Sequence, residues 1–371
     1  MKILYHCLYS ALYLLSLLPL WVLYRVSDFF YLLAYHVVGY RTKLVRRHLT
    51  DSFPDKTAQE IAAIERGFYH WFCDYMIETI KLMSMSRQQM MRRMQFKGTE
   101  QIDECVARGQ SCGVYLGHYC NWEWITSLPL WVSPSGQCTQ IYHVLENPWF
   151  DRLFVRLRSR FGSVSIPMAE TLRRIAQYRK EGQPIVMGYI SDQVPFWNNI
   201  HHWLDFLHHD TPVLTGTEKL MRGTGQAVFY ADIRRPRRGY YECTMIPIEM
   251  HPEQTQEWQL TDTYFRLLET SIRRQPACYL WTHNRWKRTR EEYNLRYDPE
   301  TGRVNMTDSV EELRRKKGLD DPKSEVPRPA LLAALAPVIY PFSYLQNMPE
   351  EMVEVPESGR FAQLERCHHP A

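Results

Sequence analysis

The chain has 371 residues, 45% of them apolar and 13% aromatic, a globular composition with enough apolar surface to bury the core of one large domain or two ordinary ones. Its nine cysteines, an odd number with no C-x-x-C pair, exclude a disulfide framework and a cysteine-based zinc site and suit a reducing compartment. The net charge is only +4, yet the basic residues are clustered at 41–47, 152–160, 234–238 and 285–290, which favours anionic partners such as phosphates, lipid head groups or an acidic carrier protein.

Taken in chain order, the first signal is apolar. From Ile3 to Tyr24 there is no Asp, Glu, Lys or Arg, about the length needed to span a hydrocarbon core. Arg25 and Asp28 interrupt the run, FFYLLAYHVVGY resumes it, and the basic block RTKLVRRHL follows. Lone Lys2 on one side and the basic block on the other predict that the body of the protein faces the cytoplasm. No small-x-small cleavage site follows the run, so residues 1–40 read as a membrane anchor rather than a signal peptide. Spanning the bilayer and lying in one leaflet are both compatible with this pattern. The 11 Trp and 23 Tyr fit a protein that works at a membrane interface.

Apolar residues between 57 and 85 recur in steps of three and four, which predicts an amphipathic helix. From residue 112 the texture changes. The runs CGVYLG, CTQIYHVL, PIVMGYIS, QAVFYADI and YYECTMIPI alternate with helical patterns near 147–160, 169–181, 211–224 and 258–274. Alternation of this kind predicts an α/β fold, a mixed central sheet flanked by helices, over a domain at 41–290. Residues 291–371 are expected to form a loosely structured extension whose apolar stretch LLAALAPVIYPFSYL is too short and too proline-broken to span a bilayer.

Functional groups in such sheets gather where strands hand over to loops. His118 follows the first strand and Asp192 follows PIVMGYIS. His118 opens the stretch HYCNWE, in which Glu123 lies five residues on. Residues five apart do not share a helix face, so the pair meets only if His118 lies in a turn and Glu123 in the first turn of the next helix, with Asn121 as cap. Glu123 would then orient the imidazole, leaving the other ring nitrogen to take a proton from a hydroxyl. With 14 His and 41 acids, chance gives roughly one or two such pairs, so the spacing alone is weak. The histidine pairs at 201–202 and 208–209 lack an H-E-x-x-H arrangement and sit in a Trp- and Phe-rich stretch, so a surface or lipid-facing loop is expected there and no metal site. There is no G-x-S-x-G elbow, no P-loop and no dinucleotide fingerprint.

The order of motifs resembles the lysophospholipid acyltransferase superfamily and, within it, the bacterial lipid A biosynthesis acyltransferases. It runs YRTKLVRRHLTDSFP, GHYCNWEW, ENPWFDRLFVRLRSRFG, YISDQ, DTPVLTGTEKLMRGTGQAVF and YLWTHNRWKRTR. The resemblance implies His118 as general base and Glu123 as its orienting acid, with Arg158, Asp192 and Arg285 lining the substrate pocket. It implies transfer of an acyl chain from an acyl carrier protein or coenzyme A thioester to a hydroxyl of a lipid A precursor, without resident cofactor, metal or covalent intermediate. The place of action implied is the bacterial inner membrane, with the catalytic domain in the cytoplasm; nucleic acid is not an expected partner. Residues 291–371 and the stretch HHWLDFLHHD depart from the family pattern, and with them acceptor identity stays open.

Overall fold

A computed structural model describes residues 2–317. The uncharged N-terminal run is not one helix. It forms α1 (Lys2–Leu17) and α2 (Leu20–Tyr31), the latter continued by a π-helical turn over Leu32–Val37. The two arms are bent by 118° at the break. Pro19 occupies the N-cap of α2, where its missing N–H and fixed φ stop α1 and start the next helix. Among the described residues, no single helix is long and apolar enough to cross a membrane; only the bent pair passes by combined length and composition.

α3 (Thr42–Ser52) carries the basic block. The helix expected over 57–85 is α4 (Ala58–Lys81), opened by a capping box in which Thr57 and Glu60 exchange hydrogen bonds. It buries Phe68, Trp71 and Tyr75 in the core. Then follow α5 (Arg87–Arg93), β1 (Met94–Lys97), α6 (Thr99–Ala107), β2 (Cys112–Leu116) and β3 (Gln137–Tyr142). Next are α7 (Pro148–Arg158), β4 (Val164–Pro167), α8 (Thr171–Lys180) and β5 (Ile185–Ile190). After β6 (Trp203–Phe206) and β7 (His209–Pro212) come α9 (Gly216–Thr224), β8 (Ala227–Arg237), β9 (Tyr240–Glu249) and α10 (Gln259–Arg274).

Seven strands form one sheet in the order β1-β9-β8-β2-β5-β3-β4. Every neighbouring pair is parallel except β8 with β9, so the sheet is mixed, as the alternation implied. β2 lies at its centre with all five residues buried, which is why its sequence is a continuous apolar run rather than an alternating one. Gly113 lets α9 close on this strand, since a Cβ there would overlap Met221 Sδ.

Two expectations need correction. HHWLDFLHHD is not an open loop: β6 and β7 pair as a hairpin whose turn residues Leu207 and His208 both take positive φ, 56° and 63°. Its histidines have other work, because His202 pairs with Asp262 at 2.7 Å and His209 stacks on Trp286 with centroids 3.8 Å apart. Residues 291–317 are not loosely packed either. They fold into α11 (Arg290–Arg296), the strand pair β10 (Tyr297–Asp298) and β11 (Arg303–Val304), and α12 (Val310–Lys316). Side-chain caps at Thr289 and Ser309 start both helices. Arg290 clamps Asp210 of the hairpin and Arg296 lies over the Trp197 ring at 5.0 Å. LLAALAPVIYPFSYL lies outside the described residues.

Candidate active site

The site is built by sheet register. β2 and β5 run parallel, with Tyr115 opposite Tyr189 and Leu116 opposite Ile190. Two residues beyond these paired ends, the chains deliver His118 and Asp192 side by side. The His118 backbone N–H donates to Asp192 Oδ2 at 3.1 Å, and His118 Nδ1 lies 2.7 Å from Asp192 Oδ1. Asp192 is only 2% exposed. Burial alone would raise its pKa, but the His118 ring and the nearby Arg285 guanidinium outweigh that and hold the carboxyl well below the usual carboxylate range. An ionised carboxylate only accepts, so Nδ1 carries a proton toward it, and in the neutral ring the lone pair is then on Nε2. The Gln193 side-chain amide nitrogen lies 3.4 Å from Nε2.

The turn carrying His118 is clamped from both sides. Tyr264 donates to the Leu116 carbonyl at 2.9 Å, Leu280 N to the His118 carbonyl at 3.1 Å, and Cys120 N to the Cys278 carbonyl at 2.8 Å. These bonds bring the segment that continues into Thr282–Lys287 alongside the turn. Trp122 meets the His118 ring edge to face at 5.1 Å and packs on Tyr75 with centroids 4.1 Å apart, forming an apolar wall beside the imidazole.

Asn121 accepts from Trp124 N at 3.1 Å, as a cap does, and donates its amide to Glu78 Oε2 at 2.7 Å. Glu78 is buried and also accepts from Tyr24 and Tyr241, which ties this turn to α2, α4 and β9. The helix that follows is a 3₁₀ helix, Trp124–Leu130, with Pro129 inside it. Glu123 stands just before that helix, and its carboxylate is taken up by Arg158 from the end of α7. Arg158 Nε donates to Oε2 at 2.8 Å and Nη2 to Oε1 at 2.6 Å, a bidentate pair in which Glu123 is 1% exposed. Glu123 is therefore not the partner of His118. Both its oxygens are occupied by the guanidinium, and the acid on Nδ1 is Asp192.

Of the five residues singled out in the sequence, the structure joins His118 to Asp192 and Glu123 to Arg158. Arg285 stands within electrostatic reach of Asp192. It is 2% exposed, its guanidinium lies between the Phe206 and Phe265 rings at 5.0 and 5.2 Å, and its three nitrogens have no hydrogen-bond partner among the described residues. A buried guanidinium with open donors is suited to an anion or to water. Gln193, Trp122 and Glu78 carry no mark of their own in the sequence. The His118–Asp192 pairing did leave one: Tyr-Leu-Gly-His and Tyr-Ile-Ser-Asp each place a polar residue three positions after a tyrosine at a strand end.

A family model described as bacterial lipid A biosynthesis acyltransferase matches residues 3–288. No curated protein matches the chain. The family match covers the N-terminal helix pair from residue 3 on, the whole seven-stranded sheet and every residue of the site, stopping just before α11. The chain belongs to the bacterial lipid A biosynthesis acyltransferase family.

Proposed function

We propose that the protein transfers a fatty acyl chain from an acyl carrier protein or coenzyme A thioester to a hydroxyl of a lipid A precursor. The observation that carries the mechanism is the 2.7 Å contact between His118 Nδ1 and Asp192, which fixes the tautomer and frees Nε2 as base. Nε2 takes the proton of the acceptor hydroxyl as its oxygen attacks the thioester carbonyl. The C–O bond forms, the C–S bond breaks, and the imidazolium returns the proton to the departing thiolate. Asp192, anionic and dry, stabilises the imidazolium in between. No enzyme-bound acyl intermediate arises, and the transfer needs no resident cofactor. The basic block in α3 supports action at the inner membrane with the body on the cytoplasmic side.

Mass spectrometry of total lipids from cells carrying the natural protein or His118→Ala tests this reading. Loss of one acyl chain from lipid A is the expected result. Loss from a phospholipid or aminolipid keeps the chemistry and refutes the acceptor. An unchanged lipid profile at normal expression refutes the enzyme.

A further inference from the structure

The N-terminal helices are docked along the body, which a lone spanning helix would not be. The Tyr5 ring stacks on Trp149 with centroids 5.4 Å apart, and its hydroxyl accepts from Asn147 at 3.4 Å. Arg156 of α7 reaches the Tyr9 hydroxyl at 3.3 Å. At the break, Lys81 Nζ donates to the Ser16 and Leu18 carbonyls at 2.7 and 2.9 Å, two groups that the end of α1 leaves without a helical partner. α2 is fixed in the same way: Ser27 donates to Asp74 at 2.7 Å, Asp28 accepts from Arg238 at 2.6 Å, and Tyr24 donates to Glu78 at 2.9 Å. The bend is thus locked by buried polar contacts to α4 and β8–β9. With 16 residues, α1 is about 24 Å long, short of the roughly 30 Å of hydrocarbon that a span must cover.

The outward side of this pair is apolar. Leu14, Trp21, Phe29, Leu32 and Val37 are each more than half exposed. Arg25, 82% exposed at the side chain, stands one turn from both Trp21 and Phe29. A tryptophan and an arginine on one exposed face belong at head-group depth, the ring at the boundary and the guanidinium reaching outward. At the break itself lies a cavity of about 320 Å³ lined by Pro19, Trp21, Lys81, Arg92, Arg93 and Tyr240 among others. Its lining holds three cations and no carboxylate. Arg93 is held by the Gly239 carbonyl at 3.0 Å and lies over the Tyr240 ring at 4.7 Å, whereas Arg92 has no hydrogen-bond or ion-pair partner among the described residues. Lys81 uses two of its three donors on the helix break.

We infer that α1 and α2 form a docking surface seated in a single leaflet of the bilayer, on the side of the catalytic body, and that the cavity at Pro19 receives the phosphate of an anionic lipid there. The apolar rim enters the acyl boundary, and the three cations meet the phosphate at the level of Trp21. Both ends of the pair then lie on one face of the membrane.

The topology is read with Lys2→Cys in a Cys7→Ser, Cys367→Ser background, where the other seven cysteines are buried. Lys180→Cys, at the exposed end of α8, marks the face of the body in the same background. A membrane-impermeant maleimide is expected to label both positions from the same face, in inverted vesicles or in spheroplasts but not one in each. Labelling from opposite faces overturns the single-leaflet seat. The cavity is read by co-sedimentation of detergent-free protein with vesicles of phosphatidylcholine alone or with phosphatidylglycerol. Arg92→Glu is expected to weaken binding to the anionic vesicles about ten-fold and leave binding to the neutral ones unchanged. Equal binding of natural and variant protein to both overturns the phosphate site. Displacement from anionic vesicles by inorganic phosphate, at matched ionic strength, overturns the lipid as its source.

Discussion

Asp192→Asn keeps the side-chain volume and removes the charge opposite His118. A carboxamide turned with its NH₂ toward Nδ1 forces the imidazole proton onto Nε2, the nitrogen that must accept the proton of the hydroxyl. Even with its oxygen turned inward, the amide no longer balances the imidazolium. Opposite charges about 4 Å apart at an effective dielectric of about 20 interact by about 4 kcal/mol. Losing that term in the transition state slows the chemical step about 10³-fold. The assay is single-turnover transfer from a labelled acyl thioester, with circular dichroism showing that the variant is folded. Glu123→Gln is the contrast. It leaves Arg158 facing a neutral amide in a buried site, and breaking a buried pair costs about 3–5 kcal/mol, read as a lower melting temperature. An Asp192→Asn variant within about ten-fold of the natural rate, beside a Glu123→Gln variant inactive but unchanged in melting temperature, would refute the assignment of Asp192 as the acid on Nδ1.

Two further outcomes follow from packing and protonation. His48 is buried, and that burial holds its pKa down to about 4 against an unfolded value near 6.5. Between those values the unfolded chain binds the extra proton, so stability rises with pH through the window and falls by roughly 3 kcal/mol on acidification across it. Urea unfolding at pH values on either side of the window should show a flatter dependence for His48→Gln, and superimposable curves would contradict a neutral buried imidazole. Gly113→Ala drives a methyl into Met221 Sδ, with Gln226 Oε1 also at 3.0 Å, and should cost about 1–3 kcal/mol of stability. Adding Met221→Ala should recover part of the loss in thermal melts; two purely additive losses would show that this contact is not the cause.

The sheet was legible because its strands are either fully buried or flanked by clear helical periods; β2 shows this, with five buried residues and no alternation to confuse. The ends of elements were less so. The chain after His118 reads as an α-helix, yet it turns through Cys120 at φ 52° and then forms a 3₁₀ helix with Pro129 inside it. That difference of a single turn sends Glu123 to Arg158 rather than to His118. A spacing in sequence fixes which residues are near each other, while the acceptor of a hydrogen bond depends on which cation is closer, and Arg158 arrives from an element 35 positions away. The N-terminal run reads as one uncharged stretch of spanning length, whereas the chain bends at Pro19; the Lys81 and Arg238 contacts that lock the bend join segments 63 and more positions apart, where periodicity says nothing. Arg285 was marked by its motif; that it is enclosed by two phenylalanine rings depends on the hairpin and α10, which the motif does not contain.

Placing His118 and Asp192 at equal distances past two hydrogen-bonded strands makes their separation discrete. Neighbouring parallel strands slide only in whole residues, a step of about 3.3 Å, and one step also turns a side chain to the opposite face. A small strain in the sheet therefore leaves the 2.7 Å contact intact, while an inserted residue in either Leu116–His118 or Ile190–Asp192 abolishes it outright. Loop-borne pairs drift; this one is indexed, like teeth on a rack. Variation in the surrounding loops can then proceed without moving His118 against Asp192, because their spacing is set by the central ladder.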